Sequence, residues 1–210
     1  KKICKIVLGI GFATFVFLGL YSFTVVANTP KIQPEKIYDY LSERSVLLDD
    51  KDQVIDSVSL EGGNRTNIKY KDMPKNLINA VVSIEDKTFW KHHGFNFWRM
   101  LGAIKNSLFS GGEISGTSTI TQQLARNVYL SETKSVRSLS RKISEAYYTM
   151  VIEANLSKEK IMEAYLNTIY LGNNSYGIQS AAKSYFNKDA KNLDLTESAA
   201  LAALPQAPNN

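Results

Sequence analysis

Residues 83–94, Ser83-Ile84-Glu85-Asp86-Lys87-Thr88-Phe89-Trp90-Lys91-His92-His93-Gly94, join a carboxylate pair to aromatic, basic and glycine residues. Residues 75–84 carry apolar side chains at helical spacing, which predicts an amphipathic helix ending at this pair. At 3.6 residues per turn, Glu85 shares a face with Leu77 and Val81. A carboxylate on an apolar face is either paired or desolvated, and desolvation raises a carboxyl pKa toward the range useful for proton transfer. On this stretch alone, a solvated acidic pair at a helix end is the simpler interpretation.

The net charge and the cysteine count exclude some classes of protein. The chain has 210 residues and a net charge of +5, of which Lys1, Lys2 and Lys5 supply three charges. The remainder is nearly neutral, so we expect no nucleic-acid partner. Cys4 is the single cysteine, which excludes a disulfide within the chain. The length predicts one globular domain of about 150 residues after the N-terminal segments.

An uncharged apolar run, residues 6–27, predicts one transmembrane helix. The basic tail before it, residues 1–5, places the N-terminus in the cytoplasm and everything after residue 27 outside. A cleaved signal peptide is the alternative. Ala27-Asn28-Thr29 is a poor cleavage site and the run is long, which favours an uncleaved anchor.

The remaining pattern predicts a mainly α fold with a short β segment. Residues 28–66 form a linker with two β segments, 45–48 and 53–60, and residues 67–210 are almost entirely helical in pattern. Helices are predicted at 75–84, at 97–109, after a cap at Ser118 or Thr119, at 135–156, from 157, at 177–186 and at 196–204. Leu139, Ile143, Ala146 and Met150 are predicted to face the core. Residues 110–117 contain three glycines and are predicted to form a mobile loop.

A second candidate stretch is Gly116-Thr117-Ser118-Thr119-Ile120-Thr121-Gln122-Gln123, at the predicted start of a helix. A helix N-terminus offers free backbone N–H groups, which suit a sugar or a phosphate. Gln123 and Arg126 extend these donors along one side. A well-capped helix with a polar surface explains the stretch equally well.

A third candidate stretch surrounds a second carboxylate, Glu145, with the cations Arg126, Arg137, Arg141 and Lys142. Arg141 and Glu145 are four residues apart and can pair on one helix face. Such a set could hold an anionic leaving group beside an acid–base pair. Solvated pairs of this kind are common and contribute little, so a plain helix surface is the simpler interpretation here. No metal-ligand spacing is present, and His92 is expected to form a structural hydrogen bond.

The motifs together resemble the peptidoglycan glycosyltransferases (glycosyltransferase family 51). They are, in order, Glu85-Asp-x-x-Phe89-x-x-His92-x-Gly94, Gly116-x-Ser118-Thr119-Ile120-Thr121-Gln122-Gln123, Arg141-Lys142-x-x-Glu145 and Lys158-x-x-Ile161-Met162-Glu163-x-Tyr165-Leu166-Asn167. Blocks at 177–188 and 195–205 also resemble the family, and the resemblance covers residues 67–209. Met162 stands where the family often has Leu, which is a tolerated swap in a core.

The resemblance implies a lysozyme-like helical domain with a small membrane-proximal jaw. It implies polymerisation of lipid II, a disaccharide-pentapeptide on undecaprenyl diphosphate, into glycan strands with inversion. Glu85 would be the general base, and Glu145 would orient the donor diphosphate or hold a divalent cation (Mg or Mn). The implied substrate contacts are Ser118, Thr119, Gln122, Gln123, Arg126, Arg137, Arg141 and Lys142. The implied supporting residues are Asp86, Phe89, His92 and Gly94.

The resemblance also implies partners and a location. Lipid II, the growing strand and the membrane are the expected partners, with other cell-wall synthesis proteins as candidates. The catalytic domain would be extracellular or periplasmic. The family occurs alone or joined to a transpeptidase domain in class A penicillin-binding proteins, and the sequence stops at Pro208-Asn209-Asn210 in a way that favours the fusion. The alternatives are a lysozyme-like glycan-cleaving enzyme, which has less use for the cations, and a non-catalytic membrane-tethered glycan-binding module.

Overall fold

The structure, a computed structural model, describes residues 2–40, 45–48, 54–58, 66–110, 116–131, 133 and 138–206. Its helices are α1 (Lys2–Asn28), α2 (Lys75–Glu85), α3 (Phe97–Ser110), α4 (Ile120–Tyr129), α5 (Leu139–Asn155), α6 (Lys158–Thr168), α7 (Ile178–Phe186) and α8 (Leu195–Ala203). Short 3-10 helices cover Pro34–Tyr40, Tyr70–Asp72, Ala190–Asn192 and Leu204–Gln206. The predicted mainly α fold is confirmed.

The two strands form an antiparallel hairpin. β1 (Ser45–Leu48) pairs with β2 (Val54–Val58), and Ser45 lies opposite Val58. The register shifts between Leu47 and Leu48. Both predicted β segments are therefore present, while the turn that joins them lies outside the described residues.

Helix α1 carries the predicted anchor. The span Lys5–Asn28 is apolar and long enough to cross a membrane, and the described residues bury none of its most apolar window. Just beyond its carboxyl end the chain packs on α5. The hydroxyls of Thr29 and Ser144 lie 3.0 Å apart, and the Tyr148 hydroxyl donates to the Pro30 carbonyl oxygen at 3.1 Å.

Helix α6 is the central element of the domain, because residues 161–168 are all buried. It packs against α4, α5 and α7, while α2 packs against α8. Its buried polar groups are paired, as burial requires. Glu163 accepts hydrogen bonds from the Tyr38 hydroxyl and the Tyr70 N–H, each at 2.8 Å. Asn167 bonds both the N–H and the carbonyl oxygen of Ile68. Tyr38 and the segment from Ile68 to Tyr70 are thereby fastened to α6.

The buried face of α5 differs from the predicted one. Leu139 and Met150 are 57% and 53% exposed, so the expected apolar stripe is wrong. The buried residues of α5 are Glu145, Tyr148, Thr149 and Ile152. An apolar count could not find this face because half of its residues are polar. Helix α5 also begins later than predicted, since Ser138 is extended and caps the helix by accepting from the Arg141 N–H.

Helix α3 exposes large apolar side chains. Phe97, Trp98 and Leu101 are 67%, 85% and 57% exposed. The expected membrane-proximal jaw stays a prediction. Asn96 and Arg99 tie the start of α3 back to the end of α2. Most of the predicted 110–117 loop lies outside the described residues, and Ser110 belongs to α3.

Candidate active site

Glu85 ends α2 at the edge of a cavity of about 590 Å³. The cavity is lined by Ile84, Glu85, Arg99, Gly116, Ser118, Gln123, Arg126 and Pro205. The amide of Gln123 donates to Glu85 Oε2 at 2.7 Å. The other oxygen, Oε1, is buried and has no hydrogen-bond partner among the described residues. The carboxylate therefore has one oxygen held by Gln123 and one buried oxygen with an unused capacity to accept a hydrogen bond.

Asp86 fastens the end of α2 to the start of α4. It is 1% exposed and accepts from the Ile120 N–H at 3.2 Å and from His92 Nε2 at 2.8 Å. The Gly94 N–H donates to His92 Nδ1 at 3.1 Å, so Nδ1 carries no hydrogen and the Nε2 hydrogen points at Asp86. This pairing gives His92 the structural hydrogen bond expected of it. It also orients Glu85, which is the neighbour of Asp86.

Phe89 and Gly94 support the same junction. The Phe89 ring is fully buried, and the Lys158 ammonium lies 4.5 Å from its centroid. Gly94 has φ +90, a conformation that L side chains rarely adopt, and its carbonyl oxygen accepts from the Thr119 hydroxyl at 2.7 Å.

Thr119 and Gln122 form a capping box at the start of α4. The Thr119 hydroxyl accepts from the Gln122 N–H, and the Gln122 side chain accepts from the Thr119 N–H. The two residues are 1% and 4% exposed, and neither lines the cavity. The cap orients α4 so that Gln123 and Arg126 reach the cavity, which Ser118 also lines. Substrate contacts from Thr119 and Gln122 stay predictions.

Glu145 lies fully buried on α5 among cations. Its carboxylate is 3.1 Å from Arg141 Nη1 and 3.8 Å from Arg126 Nη1, and it pairs with Lys142 Nζ. Arg137, the fourth predicted cation, lies outside the described residues. Arg126 both contacts Glu145 and lines the Glu85 cavity, so it joins the two predicted carboxylate sites.

The cation-rich cluster also lies beside the end of the anchor. Ser144, which contacts Thr29, precedes Glu145 in α5, and Tyr148, which bonds Pro30, follows one turn later. The Glu145 cluster therefore lies next to the carboxyl end of the predicted anchor.

A divalent cation finds few ligands here. No group of three or more His, Cys, Asp or Glu side chains that could hold a metal occurs among the described residues. The Glu145 oxygens already face Arg126, Arg141 and Lys142, whose charges oppose a metal ion. These residues do not fit a protein-held metal site.

Two polar residues at or next to the cavity, Arg99 and Tyr165, were missing from the sequence-based set of site residues. Arg99 lines the cavity and donates to the Glu85 carbonyl oxygen at 2.8 Å. The sequence feature that could have identified Arg99 is its position as a lone arginine within the apolar run Phe97-Trp98-Arg99-Met100-Leu101. Tyr165 donates to the Gln123 side-chain oxygen at 3.2 Å. Its signal was a tyrosine in a buried stripe, since a buried phenol needs a hydrogen-bond partner.

Comparison with known proteins places the chain in a family. The transglycosylase family profile matches residues 51–210. Penicillin-binding protein 1A of Clostridium tetani is 41% identical over 210 residues, which cover 94% of this chain and 26% of that protein. Penicillin-binding protein 1A of Neisseria lactamica is 41% identical over 212 residues, which cover 100% of this chain and 26% of that protein. Penicillin-binding protein 2D of Bacillus subtilis is 40% identical over 198 residues, covering 94% and 27%. The chain spans about a quarter of the length of these relatives. It belongs to the transglycosylase family.

Proposed function

We propose that the chain is a peptidoglycan glycosyltransferase that polymerises lipid II into β-1,4-linked glycan strands and releases undecaprenyl diphosphate. The family membership supports this class of reaction. The observation that carries the proposal is the placement of Arg126, which lines the Glu85 cavity and contacts Glu145. A proton acceptor and a cationic pocket for a leaving group thus lie on two sides of one arginine.

Glu85 acts as the general base in this proposal. Its free oxygen, Oε1, accepts the proton of the acceptor sugar's 4-hydroxyl as that hydroxyl oxygen bonds to the anomeric carbon of the donor. The bond from this carbon to the diphosphate oxygen breaks, and its electron pair leaves with undecaprenyl diphosphate. Attack from the opposite face inverts the anomeric configuration.

Arg126, Arg141 and Lys142 stabilise the negative charge that grows on the departing diphosphate. Fixed cations lower such a barrier because they need no reorganisation during the reaction. Glu145 holds these cations in place. A glycan hydrolase releases a sugar hydroxyl rather than a diphosphate, so this cluster favours transfer over cleavage.

The membrane arrangement is part of the proposal. Lys1, Lys2 and Lys5 support a cytoplasmic N-terminus with the catalytic domain outside. The names of the relatives support a parent protein of the penicillin-binding kind. Cell-wall synthesis proteins remain candidate partners. Dependence on Mg²⁺ or Mn²⁺ stays a prediction that EDTA in the polymerisation assay tests.

Glu85→Gln tests the catalytic assignment, because it keeps the shape of the side chain and removes its basicity. Polymerisation of fluorescent lipid II should fall by about 10²–10⁴-fold, the usual contribution of a general base, while lipid II binding survives. Glu159→Gln, at an exposed position on α6, is the matched control and should keep full activity. Undiminished polymerisation by Glu85→Gln would show that another group is the base.

A further inference from the structure

Tyr165 is a buried phenol one step away from the proposed base. It lies on α6, is fully buried and does not line the cavity. Its hydroxyl donates to Gln123 Oε1 at 3.2 Å, and Gln123 Nε2 donates to Glu85 Oε2 at 2.7 Å. The three side chains form one chain of hydrogen bonds that runs from the core to the cavity.

The phenol keeps its hydrogen throughout the range in which the enzyme would work. Burial raises the pKa of Tyr165 far above its ordinary value, and the nearby Glu85 carboxylate raises it further while Arg126 lowers it. Tyr165 therefore keeps a hydrogen to donate, and in the structure that hydrogen goes to Gln123 Oε1.

A donor at this place decides how the Gln123 amide is turned. A primary amide has an oxygen that accepts and a nitrogen that donates, and a half-turn exchanges them. With a phenol hydrogen on one side, the amide oxygen faces Tyr165 and the amide nitrogen faces Glu85. The opposite orientation would place an amide oxygen against the Glu85 carboxylate.

We propose that Tyr165 is a positioning residue that locks the Gln123 amide with its N–H toward Glu85, which leaves Oε1 of Glu85 as the oxygen that takes the proton. The inference rests on the proposed function in giving Glu85 the role of base. The buried and unpartnered Oε1 is the complementary observation, because a locked amide bonds only the other oxygen. Tyr165 acts through Gln123 and does not touch the substrate.

Tyr165→Phe removes the lock and little else. The amide can then turn its oxygen toward Glu85, where two facing acceptors are tolerated only while the carboxyl carries a proton. Glu85 then stays protonated to higher pH. The acid limb of the kcat profile should move up by about one pH unit, the size expected for losing a hydrogen bond to a charged group. KM for lipid II should change less than twofold.

Other charged groups near Glu85 are unchanged in this variant. Arg99 approaches from α3 and Arg126 from α4, and Asp86 is the next residue in the chain. A shift of the acid limb of the kcat profile would therefore be caused by a changed orientation of the Gln123 amide. Gln123→Met gives a second test, since it removes both hydrogen bonds. Tyr165→Phe should shift the limb no further in the Gln123→Met background.

Tyr148→Phe is the matched control for burial. Tyr148 is 3% exposed and donates its hydroxyl to the Pro30 carbonyl oxygen, away from Glu85. Loss of the Tyr148 hydroxyl should lower the thermal stability of the full-length chain in detergent, as loss of the Tyr165 hydroxyl does. The acid limb of the kcat profile should keep its wild-type position. A merely structural role for Tyr165 predicts the same behaviour for both variants.

A titration of the carboxyl separates this inference from the proposed function. The full chain is labelled with ¹³C at glutamate side chains, and the Glu85 signal is assigned by its absence in Glu85→Gln. The midpoint of its titration should rise in Tyr165→Phe and stay constant in Tyr148→Phe, whether or not lipid II is polymerised. A wild-type chain that makes no polymer overturns the proposed function alone. Equal midpoints in wild type and Tyr165→Phe, or additive effects of Tyr165→Phe and Gln123→Met, overturn the role of Tyr165.

Discussion

The Glu145 carboxylate neutralises only one of the three positive charges around it. It is fully buried and faces Arg126, Arg141 and Lys142, so the cluster keeps an excess of two positive charges. Buried ion pairs seldom add net stability, because removing charges from water costs about as much as the pair returns. An anion brought by a substrate would reduce this excess. The cluster is therefore better explained as a prepared binding site than as a stabilising element.

Gly94→Ala should destabilise the protein through two separable effects. Its φ of +90 costs an L residue about 1–2 kcal/mol, and a Cβ would lie 2.8 Å from Thr149 Cγ2. Gly116→Ala, at φ +67 with nothing within 4 Å of its Cβ, suffers the backbone cost alone. Thermal unfolding should therefore show a larger loss for Gly94→Ala.

Thr149→Ser separates the contact from the backbone strain. It removes the Cγ2 methyl and keeps the hydroxyl that donates to the Glu145 carbonyl oxygen at 2.7 Å. The double variant Gly94→Ala/Thr149→Ser should regain part of the lost stability, whereas Thr149→Ser should not rescue Gly116→Ala. Rescue of both or of neither would contradict the role given to the methyl group.

At the scale of helices, apolar spacing predicted some faces and missed others. Leu77 and Val81 on α2 and Leu124 on α4 are buried as predicted, because those helices face the core with apolar residues. Helix α5 buries Glu145 and Thr149 instead. Because α5 turns polar side chains inward, apolar periodicity points to the wrong side of this helix. The family motif identified Glu145 as a candidate site residue, but only the structure shows that its side chain is buried.

Thr119→Ala should weaken α4 and, through it, the site. It removes the capping hydroxyl and the bond to the Gly94 carbonyl oxygen, at a cost of about 2 kcal/mol. Because α4 carries Gln123 and Arg126, kcat for lipid II polymerisation should fall while KM changes little. A rise in KM alone would instead indicate the substrate contact that the sequence predicts.

The second capping box provides the control for this variant. Asp194 caps α8 by accepting from the Glu197 N–H at 2.8 Å, and Glu197 accepts in return from the Asp194 N–H. Asp194→Ala should cost about 1 kcal/mol of stability and leave the kcat of the folded protein unchanged.

The attachment of Tyr38 and Tyr70 to Glu163 on α6 should make stability depend on pH. Burial alone would raise the pKa of the Glu163 carboxyl, but the Lys160 ammonium and the hydrogen bonds from the Tyr70 N–H and Tyr38 outweigh it, so the pKa is lowered. The stabilisation is therefore present above the ordinary glutamate range and is lost as pH falls through the lowered pKa.

Glu163→Gln measures this contribution. At pH 7 the variant should be less stable than wild type by about 2 kcal/mol, and the difference should shrink as the pH falls through the lowered pKa of Glu163 in a series of unfolding curves. Glu159→Gln, on the exposed side of the same helix, removes only an exposed carboxylate in the first turn and should change stability by less than about 1 kcal/mol. A difference that stays constant down to strongly acidic pH would mean that the carboxylate charge is not what stabilises the junction.

At the scale of the whole molecule, the anchor and the site were predicted separately, and the structure joins them. The sequence predicted an apolar span and a cationic helix, but no pattern relates residues more than a hundred positions apart. The Thr29 and Ser144 hydroxyls are within hydrogen-bond distance, and the Tyr148 hydroxyl donates to the Pro30 carbonyl oxygen. The residues that follow α1 therefore pack on α5, the helix that carries Glu145. The structure thus places the end of the predicted anchor beside the cluster around Glu145.

The proposed orientation across the membrane can be tested with the chain's own thiol. Cys4 is the single cysteine and lies in the basic tail, so a membrane-impermeant maleimide should label it in right-side-out vesicles only after permeabilisation. The variant Cys4→Ser/Lys191→Cys moves the thiol to an exposed position of the catalytic domain and should label at once in intact vesicles. Cys4→Ser/Lys2→Cys checks that a second thiol in the tail behaves as Cys4 does. Labelling of Cys4 in intact vesicles, together with protection of Lys191→Cys, would reverse the orientation and remove the catalytic domain from the side where glycan strands are built.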